Sequence, residues 1–312
     1  MEYRNLGKSG LQVSVIGLGT NRFGAEHVPQ AAVNDMLDVA LEMGINFIDS
    51  ADVYTNGQSE VTLGQALKGR WDKVVLATKF FWPTGAGPNE RGASRYHLMN
   101  AVESSLRRLQ SDHIDLYYLH RWDASTPIEE TLRGLDDLVR QGKVRYIGAS
   151  DLAAWQLAKA NLLAEFRGWT AFAALQSHYH LLEREVEREV LPYCAAHGVG
   201  FVPYFPLAGG FLTGKYQPGQ AAPAGSRGES SEYVQRYMTD VNYDRIEKLT
   251  AWASAREHSL TELAEAWLLA QPAVCSVISG ATKQEQIQSN ARAVGWKLSQ
   301  EDVQQVNAIL KD

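Results

Sequence analysis

Short apolar runs alternate along this chain with longer segments whose apolar residues recur every three to four positions. The short runs read as strands and the longer segments as helices. Val13–Gly17 is followed by a helix over Gln30–Met43, and Ile45–Ile48 by one over Ser59–Leu67. Val74–Thr78 precedes Ser94–Leu109, and Ile114–Leu119 precedes Pro127–Arg140, with proline in the first turn. Val144–Gly148 leads to Ala153–Glu165, and Phe172–Gln176 to Glu183–His197. Gly200–Tyr204 is followed by a loop rich in Gly and Ser, from Pro206 to about Tyr237. Helices near Tyr243–His258 and Thr261–Ala270, a strand over Val274–Ser279, and helices near Lys283–Ala293 and Ser299–Leu310 complete the chain. Strands separated by helical stretches pair in parallel through right-handed crossovers. Eight such units in one chain predict an α/β fold, a (β/α)8 TIM barrel with additional C-terminal helices. A doubly wound open sheet is the alternative. Tyr3–Asn5, Gly7 to Gly10 and Leu11 suggest a short N-terminal β-hairpin that plugs the barrel floor. No linker or repeat divides the chain, so residues 1–312 form one expected domain.

Three segments carry the chemistry: NFIDSADVY (Asn46 to Tyr54), VLATKF (Val75 to Phe80) and DLYYLHRWD (Asp115 to Asp123). Each is an apolar run delivering a reactive side chain at or just past a strand's C-terminal end. The residues delivered are Asp49, Tyr54, Lys79 and His120. In a parallel barrel those ends converge on the face where the chemistry is done. A phenol, with an ordinary pKa near ~10, becomes a useful acid only if a cation stabilises its phenolate. Lys79 is the candidate cation and Asp49 its counter-ion. His120 is placed to hydrogen-bond a substrate oxygen. The set suits protonation of a carbonyl oxygen as hydride arrives at carbon. Each residue alone has a bland reading, as a helix cap, a packing ring, a solvated amine or a hydrogen-bonded imidazole. Four together at consecutive strand ends outweigh those readings.

Hydrophobic residues make up 45%, enough for a large core, and the net charge of −6 disfavours a nucleic-acid binder. No apolar run approaches the roughly 20 residues of a membrane span. MEYRNLGKSG lacks a signal-type apolar region. Cys194 and Cys275 are far apart and lack metal-type spacing, which together with the N-terminus leads to an expectation of a cytoplasmic protein without a metal. The stretch Gly17-Leu-Gly19-Thr-Asn-Arg22 lacks the third glycine of a dinucleotide fingerprint. No P-loop, zinc-protease or serine-hydrolase motif is present. His178 and His180 are close in sequence but lack the further ligands of a metal site.

The chain resembles the aldo-keto reductase superfamily over nearly its whole length. The resemblance rests on GLGT (Gly17–Thr20), FIDSADVY (Phe47–Tyr54), ATKF (Ala77–Phe80) and SLRRLQSDHIDLYYLHRWD (Ser105–Asp123). GKVRYIGASD (Gly142–Asp151), YFPLAGGFLTGKY (Tyr204–Tyr216) and SGATKQEQIQSN (Ser279–Asn290) extend it in order. It implies Tyr54 as general acid, Lys79 and Asp49 tuning it, and His120 placing the carbonyl. It also implies no metal, and NADP(H) extended across the barrel's C-terminal face. Gly19, Thr20 and Asn21 end the first strand near the cofactor. Ser150, Asp151 and Gln176 would hold the nicotinamide carboxamide, and Tyr204 would stack on the ring. Pro206, Leu207, Gly209 and Lys215 belong to the segment expected over the pyrophosphate, and Arg227 to a clamp. Gly280, Thr282, Lys283, Gln286 and Asn290 surround a helix start expected to take the adenosine 2′-phosphate and adenine.

Three positions depart from the family pattern. Asp151 stands where many members have Asn, and an ionised Asp accepts hydrogen bonds but donates none. Phe205 replaces a common Ser, and Gln286 replaces an Arg found in some members. Asn21, Phe23, Phe81, Trp82, Arg121 and Trp122 lie on loops facing the expected substrate pocket. Their aromatic character suits a hydrophobic or planar carbonyl compound. The expectation is an NADPH-dependent reductase of aldehydes or ketones acting on a small molecule, with no nucleic-acid or membrane partner. Two rivals are an NAD(P)-dependent sugar or alcohol dehydrogenase and a cofactor-sensing subunit resembling potassium-channel β subunits.

Overall fold

The computed structural model describes residues 1–311; Asp312, inside the single domain expected over 1–312, lies outside the described residues. Ten strands are β1 Tyr3–Asn5, β2 Gln12–Ser14, β3 Ile16–Gly19, β4 Phe47–Asp49, β5 Val75–Phe80, β6 Ile114–Leu119, β7 Val144–Ser150, β8 Ala174–His178, β9 Gly200–Tyr204 and β10 Val277–Gly280. The last eight close into a parallel barrel in sequence order, sealed where β10 pairs with β3 and, through Ile278 and Tyr204, with β9. The open-sheet alternative is thereby excluded. β1 and β2 form the expected antiparallel hairpin, Arg4 opposite Val13.

The described residues include twelve α-helices: α1 Gln30–Glu42, α2 Gln58–Ala66, α3 Arg95–Leu109, α4 Ile128–Arg140, α5 Ala154–Arg167 and α6 Val190–His197, then α7 Arg227–Ser230, α8 Glu232–Gln235, α9 Asp240–Ser254, α10 Leu260–Leu269, α11 Gln284–Arg292 and α12 Gln300–Ile309. The core divides in two. Between the barrel and its helices lies a large apolar layer that includes Leu76, Leu98, Leu135 and Trp267. Inside the barrel, Phe47, Leu116, Tyr118, Val202 and Ile278 pack together with Leu6 and Val13 from the hairpin. The hairpin therefore plugs the floor, leaving the C-terminal mouth open.

Two expected elements differ. The segment expected as one strand over Val13–Gly17 is two, because Val13 pairs within the hairpin and the barrel strand starts at Ile16. The helix expected from Glu183 starts at Val190. Pro192 supplies no N–H, and its ring would clash with the carbonyl of a helical residue 188, so it is tolerated only in a first turn. The long loop carries the short helices α7 and α8.

Candidate active site

Neighbouring strands β4 and β5 bring Asp49 and Lys79 together at the barrel mouth, and the chain then turns sharply to present Tyr54. Thr55 and Asn56 hold that turn at φ 47° and 55°, and the Thr55 hydroxyl donates to the Phe23 carbonyl at 2.6 Å. Lys79 Nζ donates to Asp49 Oδ2 at 2.6 Å, to the Ser50 carbonyl at 2.7 Å and to the Tyr54 phenol oxygen at 3.3 Å. An ammonium has three donors, and all three are engaged. Because the phenol oxygen accepts from Lys79, its own O–H is left to donate elsewhere. The other oxygen of Asp49 accepts from Gln176 Nε2 at 2.8 Å, so β8 holds the carboxylate from across the barrel. Behind Asp49, Thr20 donates to its carbonyl, and hydroxyls of Thr20, Ser59 and Ser50 form a buried chain.

The charges follow from burial and neighbours. Burial opposes the Lys79 ammonium, but Asp49 and Tyr54 outweigh it and raise its pKa above the ordinary lysine value. Burial raises the Tyr54 phenol while Lys79 pulls it down, the net shift being upward. Tyr54 is therefore protonated at neutral pH. His120 stands just beyond β6, its ring edge-on to Tyr54 at 6.2 Å between centroids. Burial, then the charges of Lys79 and Arg121, hold its pKa well below the ordinary value, so the imidazole is neutral. Its Nδ1 is buried without a partner among the described residues.

A cleft of about 210 Å³ opens above this group. Of the residues expected at the site, Gly19, Thr20, Asn21, Asp49, Tyr54, Trp82, His120, Arg121, Ser150, Asp151, Gln176, Tyr204, Arg227 and Gly280 line it. Lys79 is fully buried beneath. Asp151 adopts φ 52°, a left-handed conformation that Asp tolerates better than most residues. Its carboxylate accepts from the Tyr204 hydroxyl at 3.1 Å and the His178 backbone N–H at 3.4 Å. Arg121 lies 3.3 Å from it. Burial raises the Asp151 pKa, and Arg121 opposes that shift. Arg227, carried by α7, reaches over the Phe205 ring to Asn21, with its guanidinium carbon 5.6 Å from the ring centroid.

Other expected residues stand elsewhere. Phe23 is a core residue, fully buried beside the loop, and is not part of the pocket wall. Trp122 packs edge-on against Trp155, away from the cleft lining. Pro206, Leu207, Gly209 and Lys215 lie on the segment after β9 and do not line the cleft, with Lys215 set over the Tyr216 ring. Thr282, Lys283, Gln286 and Asn290 likewise form no part of its lining. They cluster at the start of α11, where Gln286 Oε1 accepts from the Thr282 N–H and Asn290 is buried. Sequence reasoning missed two features. Ile278 forms part of the wall, and Gln176 anchors Asp49. Gln176 itself was expected at the site, but no local signal pairs it with Asp49, 127 residues away. Among the described residues no group of His, Cys, Asp and Glu could hold a metal ion, and no helix is long and apolar enough to cross a membrane.

A family model described as Aldo/keto reductase family matches residues 15–311. A probable voltage-gated potassium channel subunit beta of Arabidopsis thaliana is 38% identical, over 94% of this chain and 91% of the relative. An uncharacterized oxidoreductase of Bacillus subtilis is 37% identical, over 99% of this chain and 96% of the relative. A versiconal hemiacetal acetate reductase of Aspergillus parasiticus is 32% identical, over 97% and 95% respectively. With this match over nearly its whole length, and a closed parallel barrel presenting acid, amine, phenol and imidazole at one mouth, the chain belongs to the aldo/keto reductase family.

Proposed function

We propose that this protein reduces aldehydes or ketones to alcohols with NADPH, with Tyr54 as the general acid. The observation that carries the reading is the saturated Lys79 ammonium, held by Asp49 and Ser50 and donating its third N–H to the Tyr54 oxygen. A phenol so placed gives its proton to a carbonyl oxygen, and the phenolate left behind rests against the ammonium. The neutral His120 ring supplies one N–H to orient that oxygen. The carbonyl carbon gains a hydride and its oxygen the Tyr54 proton, which yields the alcohol.

The cleft residues fit a reduced nicotinamide, which when bound supplies the hydride. Gln176 donates to Asp49 and keeps its amide oxygen free of any hydrogen bond among the described residues, so that oxygen can accept from a carboxamide. Asp151 accepts only, and the Tyr204 ring offers a flat face. Arg227 has no acidic partner among the described residues and suits a phosphate. Lys283 and Thr282, at the N-terminus of α11, favour a 2′-phosphate and hence NADPH over NADH.

The test follows absorbance at 340 nm with NADPH or NADH and 4-nitrobenzaldehyde. NADPH-dependent loss is expected, with turnover falling about 10²- to 10⁴-fold in Tyr54→Phe while NADPH binding persists. Full activity of Tyr54→Phe would overturn the assignment. The similarity to relatives named as channel β subunits favours a second reading, a cofactor-binding subunit. Tight NADPH binding without turnover of any reactive aldehyde would select it.

A further inference from the structure

One wall of the cleft forms a graded row. Tyr54 lies 6.2 Å from His120, His120 lies 6.2 Å from Trp82, and the Arg121 guanidinium carbon stands 6.0 Å from the Trp82 ring centroid. The row passes from a proton donor, across a flat apolar surface, to a cation. Arg121 is 45% exposed, so an incoming ligand can reach it. Its guanidinium makes no hydrogen bond of acceptable geometry among the described residues; Asp151 at 3.3 Å is its ion-pair neighbour. Five donors in a planar fork are thus unspent, and such a fork matches a carboxylate with two parallel hydrogen bonds.

Charge in the cleft points the same way. Asp49 is matched by Lys79. Arg227 is assigned to the cofactor's phosphate, which leaves Arg121, with Asp151 as its ion-pair neighbour, as the lining cation that faces a substrate. An exposed guanidinium with unused donors, in a chain of net charge −6, selects locally for an anionic group.

We propose that the preferred substrates are small aldehydes or ketones bearing a carboxylate, bound with the carbonyl between Tyr54 and His120, the carbon body on Trp82 and the carboxylate on Arg121. The proposal rests on the reductase reading and specifies its substrate class. The carboxylate takes no part in the reaction and is unchanged in the product. Hydride and proton add only across the carbonyl.

The test compares 4-carboxybenzaldehyde with its methyl ester, which keeps the ring and the electron-withdrawing group but removes the charge. The expected kcat/KM for the acid exceeds that for the ester by about tenfold, one charge-assisted contact at a partly exposed site. In Arg121→Met the ratio falls to about one, and in Arg121→Lys it recovers in part. Quenching of tryptophan fluorescence by 4-(hydroxymethyl)benzoate, against its methyl ester, reads the same preference without turnover. Equal kcat/KM values for acid and ester in the unaltered protein overturn the substrate class and leave the reductase reading standing. A preference that survives in Arg121→Met removes Arg121 from it. Failure to reduce either aldehyde overturns both readings.

Discussion

Glu265 is a fully buried carboxyl group outside the cleft lining, and it stays protonated at neutral pH. It lies on α10, fully buried, facing β10 just before the cleft residue Gly280. Oε1 accepts from the Ser279 hydroxyl at 2.5 Å, and Oε2 has no partner among the described residues. Burial raises its pKa from 4.5 to about 8, opposed by the Ser279 hydrogen bond. The unfolded chain releases this proton near pH 4.5 and the folded protein keeps it until about pH 8. Between those values the unfolded state binds fewer protons, so stability is full below pH 4.5 and is lost as pH rises toward 8. At pH 7 the difference is 2.5 units at about 1.36 kcal/mol each, or about 3 kcal/mol. Glu265→Gln keeps the acceptor for Ser279 and the shape, and removes the ionisation. The variant should match the parent near pH 4.5 and exceed it by about 3 kcal/mol at pH 7, with the gap levelling above pH 8. Urea unfolding midpoints at pH 5, 6, 7 and 8 measure this. Parallel midpoint curves for the two proteins, at any constant offset, would refute the argument.

Two further predictions concern the site itself. His120 is held neutral by burial, Lys79 and Arg121, with its pKa well below 6.5. The rate profile should therefore show no limb near pH 6.5 that disappears in His120→Gln, and such a limb would contradict the neutral ring. Gln176→Met strands the Asp49 Oδ1 acceptor in a buried setting, at about 1–3 kcal/mol. Denaturant midpoints should fall accordingly, and an unchanged midpoint would mean that the Gln176–Asp49 hydrogen bond contributes nothing net.

Most of the barrel was legible because its information is local. Val75–Phe80 and Ile114–Leu119 are apolar strings that must be buried, and each gives way to a helical period. The boundary at Val190 was equally local, since Pro192 forbids an earlier start, yet the charged run Glu183–Glu189 masks it with good helix formers. Contacts formed by closing the barrel were not legible. Gln176 meets Asp49 across 127 residues, and its amide looked free for a cofactor until the ring of strands was complete. Ser279 and Glu265 likewise meet only when α10 packs on β10. Phe23 looked like a pocket wall because its loop faces the mouth. Its side chain turns into the core, where burying an aromatic is worth more than lining a cleft.

The same contrast explains the group proposed as catalytic. Each of its four side chains could be placed from its own strand, but the charge setting of the phenol is a property of the closed ring. Burial raises the Tyr54 pKa, and Lys79 offsets part of that rise. Lys79 alone, in the barrel interior, would shed its charge. Asp49 keeps Lys79 charged, and Gln176 keeps Asp49 in place. The support thus runs from β8 through β4 to β5 and ends at the phenol oxygen. Gln176 bears on Tyr54 through two intervening charges, Asp49 and Lys79, whereas the His120 ring meets Tyr54 directly.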